Sequence, residues 1–491
     1  MTTNHVAGGH TGARAGGPDE RWSARWVGRL IVLVLVSEVI PVSMSLAGTA
    51  LPAISGEYRT TQASWTLTAA FLAAAVAMPL IGKIADIVGK KKVLLIVLGC
   101  TTIGSVVSAL APSFLLFAVG RAMQGAAFAL VFLCYSLIRD LFPPRLVTFA
   151  VSVTVTGTGL IVIGQPFLAG WLIDGYGVGG VFWFLAVLTT VLLALSAAVV
   201  PESGVRVSES RPDFAGAALL GFGVAAILLG VSIAPELGFL SLPVVALVLA
   251  GLALVVCWVF QARRVAQPLI DLRLLGSRSL LPIVAGGGLV YGAGASITLV
   301  LPILAMTPRE IGAGYGFGLT ATGYALFGMA SGAGLVVGGL LVGLTARQGA
   351  RRHLIIASGV LILGTIASAL FKADYAMLMV ATTIAALGLG VGSAAIPNLV
   401  IESVPPERQV ISSSIVEVSR TLIASIVTPV VFVVMNSNIA RVAGGQPIYT
   451  TGAFDGAYLA VGLTIAAGGA VSLLIRRRTT GDPSPSPVPG H

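Results

Sequence analysis

The sequence predicts an all-α protein that crosses a membrane fourteen times, and three observations support this fold class. First, 56% of the 491 residues are hydrophobic and only 10% are charged, whereas a soluble domain carries about 25% charged residues. Second, apolar runs long enough to cross a bilayer core of about 30 Å recur along the chain. Third, the basic residues fall almost entirely on one side of the membrane once these runs are placed.

The apolar runs define the predicted spans, which we number in chain order. Each run approaches or exceeds the length of about 20 residues that a transmembrane helix needs. Glycine and proline interrupt several of them, which neighbouring helices or a cavity can accommodate. The spans lie at 27–53, 62–82, 92–111, 114–138, 147–172, 179–200, 214–233, 240–260, 280–306, 319–345, 353–371, 376–400, 409–435 and 456–475.

The basic residues test this number of spans. Fourteen spans put both termini and every even-numbered loop on one side, and 23 of the 29 lysines and arginines lie there. Four lie on the opposite side and two lie inside spans. Because cytoplasmic loops are enriched in lysine and arginine, we expect both termini in the cytoplasm and the chain in the inner or plasma membrane. The net charge of +10 is then a topology signal and predicts no nucleic-acid partner.

Composition and motifs argue against other function classes. Cys100, Cys134 and Cys257 lie inside apolar runs, which indicates small buried side chains and not disulfides or metal ligands. The sequence contains no H-E-x-x-H, Walker or G-x-S-x-G motif, and its four histidines lie in tails or at a helix end. We therefore expect no enzymatic activity, no metal and no cofactor. The first apolar run is long enough to span, so we interpret it as a helix and not as a cleaved signal peptide.

The turn between spans 2 and 3 has the sequence G-K-I-A-D-I-V-G-K-K-K, over residues 82–92. Gly82 and Gly89 permit a tight turn and a close approach of backbones. Asp86 can cap the N-terminus of a neighbouring helix. This turn resembles the signature loop of the major facilitator superfamily, in which an aspartate follows one glycine by four residues and a basic pair follows a second.

The resemblance implies a latch at the cytoplasmic face that holds the outward-open state. In this hypothesis the aspartate meets a cation at the end of span 4 or the start of span 5. The later turn at 347–352 is a degenerate repeat that lacks the acidic residue, so we assign no latch to it. The predicted latch residues are Gly82, Asp86, Gly89, Lys90, Lys91 and Arg145, with Arg139 as the alternative cation.

Three further segments resemble the same superfamily. The segment G-R-A-M-Q-G-A-A, at 120–127, is similar to its second signature, an arginine followed three residues later by Gln-Gly. The segment V-P-P-E-R-Q-V-I-S-S-S, at 404–414, resembles the matching loop of the second half, with Gln409 where the family usually has glycine. The segment A-L-P-A-I, which ends at Ile54, and Trp65 also fit. With fourteen spans, the resemblance is to the drug:proton antiporter branch.

The resemblance also implies a domain organisation and a working principle. The family moves small molecules by alternating access between two six-helix bundles, and the branch adds two helices between them. We expect a monomer surrounded by membrane lipids. The predicted segments are a cytoplasmic tail (1–26), a first six-helix bundle (27–200), a linker with two extra spans (201–278), a second six-helix bundle (279–475) and a second cytoplasmic tail (476–491).

Span 5 carries the sequence Q-P-F-L-A-G at 165–170, where antiporters of the superfamily have a Gly-Pro-x-x-Gly-Gly bend. Pro166 and Gly170 keep the pattern, whereas Gln165 and Ala169 replace glycines. Proline removes a helix hydrogen bond and bends a span. We therefore predict a hinge at Pro166 and Gly170 that works against the second bundle.

Four ionisable side chains lie well inside the spans: Glu38 in span 1, Arg121 in span 4, and Glu417 and Arg420 in span 13. Each would cost at least about 2–3 kcal/mol if it faced lipid at mid-bilayer. They therefore face the protein interior or a watery cavity. A carboxyl group whose pKa changes with conformation can take up a proton outside and release it inside. All four are candidate proton-coupling residues, with static ion pairs as the alternative.

Helices 1 and 4 line the central cavity in the family, so the resemblance leaves open a contact between Glu38 and Arg121. The branch usually has its acidic residue of helix 1 nearer the A-L-P-x-I segment, where this chain has Ser43. We therefore assign proton coupling to Glu38 from its chemistry. Glu38, Gln124 and Gln165 are also the candidate substrate contacts in the cavity.

The most probable activity from the sequence is proton-coupled export of small amphipathic molecules, such as drug-like compounds or metabolites. Two acids against two bases inside the membrane leave no surplus charge for a cationic substrate. Two alternatives stay open within transport: export of a lipid or glycolipid through a lateral opening, and proton-coupled uptake. The only energy source expected is the proton gradient.

Overall fold

The structure is a computed structural model that describes residues 23–204, 213–265, 272, 280–312, 314–345, 348–403, 406–443 and 446–475. The predicted tail 476–491 and most of the tail 1–26 lie outside these residues. The described residues are helical almost throughout, with one two-stranded hairpin. The predicted all-α class is therefore confirmed.

The first half of the chain, residues 23–204, and the two helices that follow it contain ten α-helices in the described ranges. A short 3₁₀ turn at Gly125–Ala129 joins α6 to α7. The helices are α1 (Ala24–Ser37), α2 (Val39–Thr49), α3 (Leu51–Glu57), α4 (Trp65–Val88), α5 (Lys90–Ala109), α6 (Phe114–Gln124), α7 (Leu130–Leu141), α8 (Pro144–Val199), α9 (Phe214–Leu237) and α10 (Leu242–Arg264).

The second half, residues 280–475, contains six more α-helices and the hairpin in the described ranges. Side-chain oxygens cap several helix starts: Thr320 accepts from the N–H of Gly323, and Thr450 accepts from the N–H of Ala453. The elements are α11 (Leu281–Met306), α12 (Ala321–Leu344), α13 (Ala350–Leu370), α14 (Tyr375–Ser403), α15 (Pro406–Asn436), β1 (Ile439–Ala443), β2 (Gln446–Tyr449) and α16 (Thr451–Leu473).

Eleven helical segments of the described chain are long and apolar enough to cross a membrane. The predicted spans 62–82 and 409–435 correspond to α4 and α15, for which the described residues give the shorter apolar helices Trp65–Met78 and Ile426–Asn436. The protein is thus a multi-pass membrane protein, and fourteen spans remain a prediction.

The predicted spans 147–172 and 179–200 both lie in the helical segment α8, which a kink at Gly177 divides into two helices. Helix α8 has 56 residues, and at 1.5 Å per residue it would extend about 84 Å if it were straight. That length is more than twice the bilayer core. The backbone leaves helical geometry at Gly177, with φ 66° and ψ −164°. Only glycine adopts this conformation without strain, so Gly177 is where the path of the chain changes.

The first helical path is also interrupted, but less sharply. Pro41 has no N–H to bond to the carbonyl of Ser37, and the regular helix lapses at Glu38, between α1 and α2. The N–H of Glu38 still donates to the carbonyl of Val34 at 3.2 Å. The break therefore places an acidic residue at a local irregularity deep inside a membrane-spanning segment.

Helix packing divides the molecule into two groups with a pair of helices attached. Within the first half, α5 packs on α6 and α8; within the second, α14 packs on α12 and α13, and α11 packs on α15 and α16. Helices α9 and α10 pack on each other, and α9 also contacts α4 and α15. The attached pair therefore touches both halves through α9.

Candidate functional site

A buried polar network surrounds Arg121 at the junction of α2, α4 and α6. The Arg121 side chain is completely buried. Its Nε donates to the carbonyl of Thr66 at 2.9 Å, and its Nη1 donates to Ser43 Oγ at 3.0 Å and to Gln124 Oε1. The guanidinium also lies 5.6 Å from the ring centre of Phe182. Neutral oxygens, the sulfur of Met44 and an aromatic ring therefore provide the described contacts of this cation.

In the described part of the structure, Glu38 and Arg121 do not form an ion pair with each other. Ion pairs between described side chains join Lys90 to Asp140, Arg139 to Asp140 and Lys372 to Asp455.

The reason is helix geometry. Arg121 meets Ser43, five residues beyond Glu38, and five residues advance a helix by about 7.5 Å and rotate it by about 140°. Glu38 is itself buried, with 3% of its surface exposed.

Ser43 therefore occupies the position beside Arg121 where the branch usually has an acid. The side chain of Ser43 is 2% exposed and lies in contact with both Arg121 and Gln124. The chain keeps a buried carboxyl group, at Glu38, but more than one helical turn away from the buried guanidinium. Glu38 and Arg121 are thus separated, so the protonation of each side chain depends on its own surroundings.

The two glutamines predicted to contact substrate both join helices in this structure. Gln124 is 1% exposed, and its Nε2 reaches Ser108 Oγ of α5 at 3.4 Å. Gln165 is 5% exposed, and its Nε2 donates to the carbonyls of Pro41 and Val42 at 3.1 and 3.0 Å. Gln165 therefore ties α8 to the backbone beside the Glu38 irregularity. Their role in binding substrate remains a prediction.

The second half contains a different arrangement around Arg420, which is half-buried. The guanidinium carbon of Arg420, on α15, lies 3.5 Å from the ring centre of Tyr291 on α11. A cation at this position over an aromatic face is attracted by the ring quadrupole. The side chain of Glu417 lies outside the part of the structure that is described. Proton coupling through this pair stays a prediction.

The turn predicted to form a latch begins α5 at Gly89. Gly89 has φ +119° and ψ 136°, a conformation that favours glycine. A Cβ at this position would also meet the Glu202 carboxylate at 2.8 Å. At Gly82, by contrast, a Cβ would lie at an ordinary 3.6 Å from Phe132. The predicted tight turn is therefore present at Gly89, whereas the described contact at Gly82 is of ordinary length and its predicted close approach remains a prediction.

Two acidic residues that sequence reasoning missed bind this turn. Asp140, at the end of α7, forms an ion pair with Lys90, and both side chains are about 95% buried, with 4% and 5% exposed. Ser203 Oγ donates to the same carboxylate at 2.8 Å. The Glu202 carboxylate accepts from the N–H groups of Lys91 and Lys92 at 2.9 and 3.3 Å. An acid at a helix N-terminus is the expected charge for that position.

The side chains of Asp86 and Arg145 lie outside the described part of the structure, so their predicted pairing remains untested. Arg139, the alternative cation, contacts Asp140 Oδ1 at 3.4 Å. The sequence signal for Asp140 was its place directly after Arg139 at the end of an apolar run. The signal for Glu202 was its position in P-E-S, just after span 6.

The predicted hinge lies where α8 packs on α12 of the second half. Helix α8 continues through Pro166 without non-helical backbone angles. A Cβ on Gly328 would lie 2.2 Å from Cγ of Pro166, and a Cβ on Gly170 would lie 2.5 Å from Cα of Thr322. Pro166 and Gly170 therefore sit in a seam where the two halves approach closely. Whether they act as a hinge remains a prediction.

Comparison with known proteins agrees with this architecture. Residues 33–429 match the profile of the Major Facilitator Superfamily. This chain is a member of that superfamily. It is 32% identical over 263 residues to the "Multidrug resistance protein B homolog" of Mycobacterium tuberculosis, a match that covers 51% of this chain and 47% of the relative. The chain thus matches about half the length of that relative.

A second relative is matched over more of its length. The "Uridine/deoxyuridine transporter" of Lactococcus lactis is 27% identical over 395 residues, which cover 76% of this superfamily member and 79% of the relative. Among solved structures, a POT family transporter in complex with 5-aminolevulinic acid has a TM-score of 0.65 at 13% identity, covering 93% of this chain and 97% of its own. The human organic anion transporter MFSD10 has a TM-score of 0.61 at 14% identity and covers 92% of this chain and 100% of its own. These structures support the fold.

Proposed function

We propose that this protein is a proton-coupled exporter of small amphipathic molecules that works as a monomer by alternating access. In this proposal it lies in the inner or plasma membrane with both termini in the cytoplasm, as the distribution of basic residues indicates. Sequence similarity to multidrug resistance proteins at about 30% identity supports drug-like compounds or metabolites as the substrate class.

The observation that carries the proton step is the burial of Glu38. A carboxylate is costly in the middle of a membrane, so Glu38 is placed where a change of surroundings changes its proton affinity. Glu38 lies at the break between α1 and α2, close in sequence to the backbone carbonyls of Pro41 and Val42, which accept hydrogen bonds from Gln165. A movement between α2 and α8 would therefore alter the environment of Glu38 directly.

The test is transport by the purified protein in proteoliposomes with an imposed pH gradient. Glu38→Gln keeps the size and polarity of the side chain but cannot exchange a proton. Gradient-driven transport should fall at least about tenfold, as expected when a proton-transfer step is lost, while gradient-independent exchange of substrate persists. Glu57→Gln is the matched control, because Glu57 ends α3 on the same helical path and is exposed. It should transport at the wild-type rate.

Coupling and folding can be separated by experiment. The bonds of Arg121 to Thr66, Ser43 and Gln124 do not involve Glu38. Glu38→Gln should therefore fold normally, and Arg121→Gln alone should destabilise the protein through loss of the network. If Glu38→Gln reduces folded yield and the added Arg121→Gln restores both yield and gradient-driven transport, Glu38 is a structural partner and the coupling assignment is wrong.

Proton-coupled uptake is the second candidate. It is favoured by Gln165 and Ala169, which stand where antiporters have glycines. The similarity to the uridine/deoxyuridine transporter over most of both chains makes uridine a substrate to test. The same proteoliposomes distinguish the two directions when their interior is acidic. An exporter moves substrate against the proton flux in either orientation of the protein. An uptake permease moves substrate with the proton flux. Uridine, lipophilic dyes and a labelled glycolipid serve as probes, and movement of the glycolipid alone would favour a lipid exporter.

A further inference from the structure

Asp174, on α8 of the first half, bridges the two halves of the molecule at the start of α12. Its Oδ1 accepts from the N–H of Ala321 at 3.1 Å, and its Oδ2 accepts from the N–H of Thr322 at 2.8 Å. The hydroxyl groups of Thr320 and Thr322 also face the carboxylate. This contact joins residues about 147 positions apart in the chain.

The two N–H groups have no capping group of their own. The first turn of a helix leaves N–H donors that the helix cannot satisfy internally. In α12, the cap residue Thr320 satisfies the N–H of Gly323 through its hydroxyl and the N–H of Tyr324 through its carbonyl. The donors of Ala321 and Thr322 bond instead to a carboxylate from the opposite half.

The neighbouring contacts place this bridge at one end of the seam between α8 and α12. Pro166 and Gly170 contact Gly328 and Thr322 closely along the same seam. Asp174 lies three residues before Gly177, where α8 changes direction. With the termini in the cytoplasm, this bend connects the fifth and sixth predicted spans on the outer face.

We propose that Asp174 is an outer latch: its bonds to the N-terminus of α12 hold the two halves together on the outer face, and they must break before substrate can leave on that side. The contact is charge-assisted, because a carboxylate complements the positive end of the helix dipole. In the described residues, the groups that face it are hydroxyls and N–H groups, and the titratable residues nearest in sequence on the two helices are the phenols Tyr176 and Tyr324.

The latch rests on alternating access in the proposed function and not on the substrate or the proton. Because the Asp174 side chain is exposed, its replacement leaves no buried charge without a partner. Asp174→Asn turns one acceptor into a donor that faces an N–H group. Loss of one helix-capping bond of this kind changes an equilibrium by about fivefold. We therefore expect the outward-open population to rise about fivefold.

The test is a distance measurement between spin labels on the outer ends of the two halves, in nanodiscs without substrate or gradient. Labels are attached at Leu110→Cys and Gly452→Cys in a background in which the three native cysteines are replaced. Asp174→Asn should shift the distance distribution toward longer values. Asp174→Glu, which keeps the charge, should retain most of the short distances. Asp174→Ser replaces the asparagine variant if the latter does not fold.

Asp374→Asn is the matched control. Asp374 Oδ1 accepts from the N–H of Met377 at 2.9 Å at the start of α14, so it forms the same kind of bond inside one half. It should leave the distances unchanged. Distances that do not lengthen in Asp174→Asn, or that lengthen equally in Asp374→Asn, overturn the latch. Neither result bears on coupling at Glu38, which the transport assay measures separately.

Discussion

The two halves of the molecule build the same kind of turn with different chemistry. In each, a glycine with positive φ precedes a helix: Gly89 before α5 and Gly349 before α13. In each, the second residue of that helix reaches a carbonyl at the end of the last helix of its half. Lys91 Nζ donates to Ala197 at 2.8 Å, and Arg351 Nη2 donates to Leu473 at 2.7 Å.

The acids differ in what they bind. Asp140, at the end of α7, meets the side chain of Lys90, the first residue of α5. Glu402, at the end of α14, accepts from the N–H of Ala350, the first residue of α13, at 3.1 and 3.3 Å. Alanine offers no cation, so the longer acid bonds to the backbone instead. The first turn therefore combines a buried ion pair with the helix cap from Glu202, whereas the described contacts of Glu402 at the second turn form a helix cap.

The largest predicted effect is on this ion pair. Asp140→Asn leaves Lys90 buried without its anion, and breaking a buried pair costs about 3–5 kcal/mol. Glu402→Gln keeps an oxygen that can accept from Ala350 and should cost only about 1 kcal/mol. Thermal unfolding of both variants in detergent, followed by size-exclusion chromatography, measures the difference. Equal losses of melting temperature would show that the two turns are energetically alike.

The glycines give an intermediate effect. Gly89→Ala is strained by its positive φ and also meets the Glu202 carboxylate at 2.8 Å, whereas Gly349→Ala has the same backbone problem and nothing within 4 Å of the added Cβ. The backbone strain alone is about 1–3 kcal/mol. We expect Gly89→Ala to lower the melting temperature more than Gly349→Ala. The double change with Glu202→Ala should remove the excess, and persistence of the excess would contradict the assigned contact.

The smallest effect concerns the two long basic side chains. Lys91→Met and Arg351→Met each remove an exposed hydrogen bond to a helix-end carbonyl. Each bond is expected to contribute about 0.5–1.5 kcal/mol, so the two variants should be nearly equal in thermal stability. A clearly larger loss for Lys91→Met would indicate that the first turn is the more cooperative one, through the Glu202 contact to its backbone.

The fold could be predicted from the sequence because the bilayer imposes a length and a polarity on every span. The positions of helices α5, α9 and α12 follow directly from apolar runs. Partners across helices could not be predicted in the same way, because they depend on rotation about each helix axis. Ser43 beside Arg121 is an example: the residue was noted, but its contact depends on which face of α2 meets α6.

The missed residues share a physical explanation. Each missed residue is an aspartate or glutamate next to an apolar run, and the sequence around it resembles an ordinary helix end. These residues are Asp140, Glu202 and Asp174. Their partners are backbone N–H groups or a lysine 50 to 148 residues away. A sequence pattern shows the acidic residue but not the hydrogen-bond donor that it contacts in the fold. The latch turn was recognisable because its glycine and lysines lie within one short segment.

The seam between α8 and α12 has a mechanical consequence. Gly170 and Gly328 bring backbone and a proline ring into direct contact, and none of these groups has rotamers to exchange. Movement of one helix over the other would then cost no side-chain entropy, so α8 and α12 can move against each other at this seam without changes of rotamer. Added bulk would hinder the movement of α8 over α12. A single methyl group at Gly328 would clash with the Pro166 ring and fix the contact in one position, without touching any charged group of the protein.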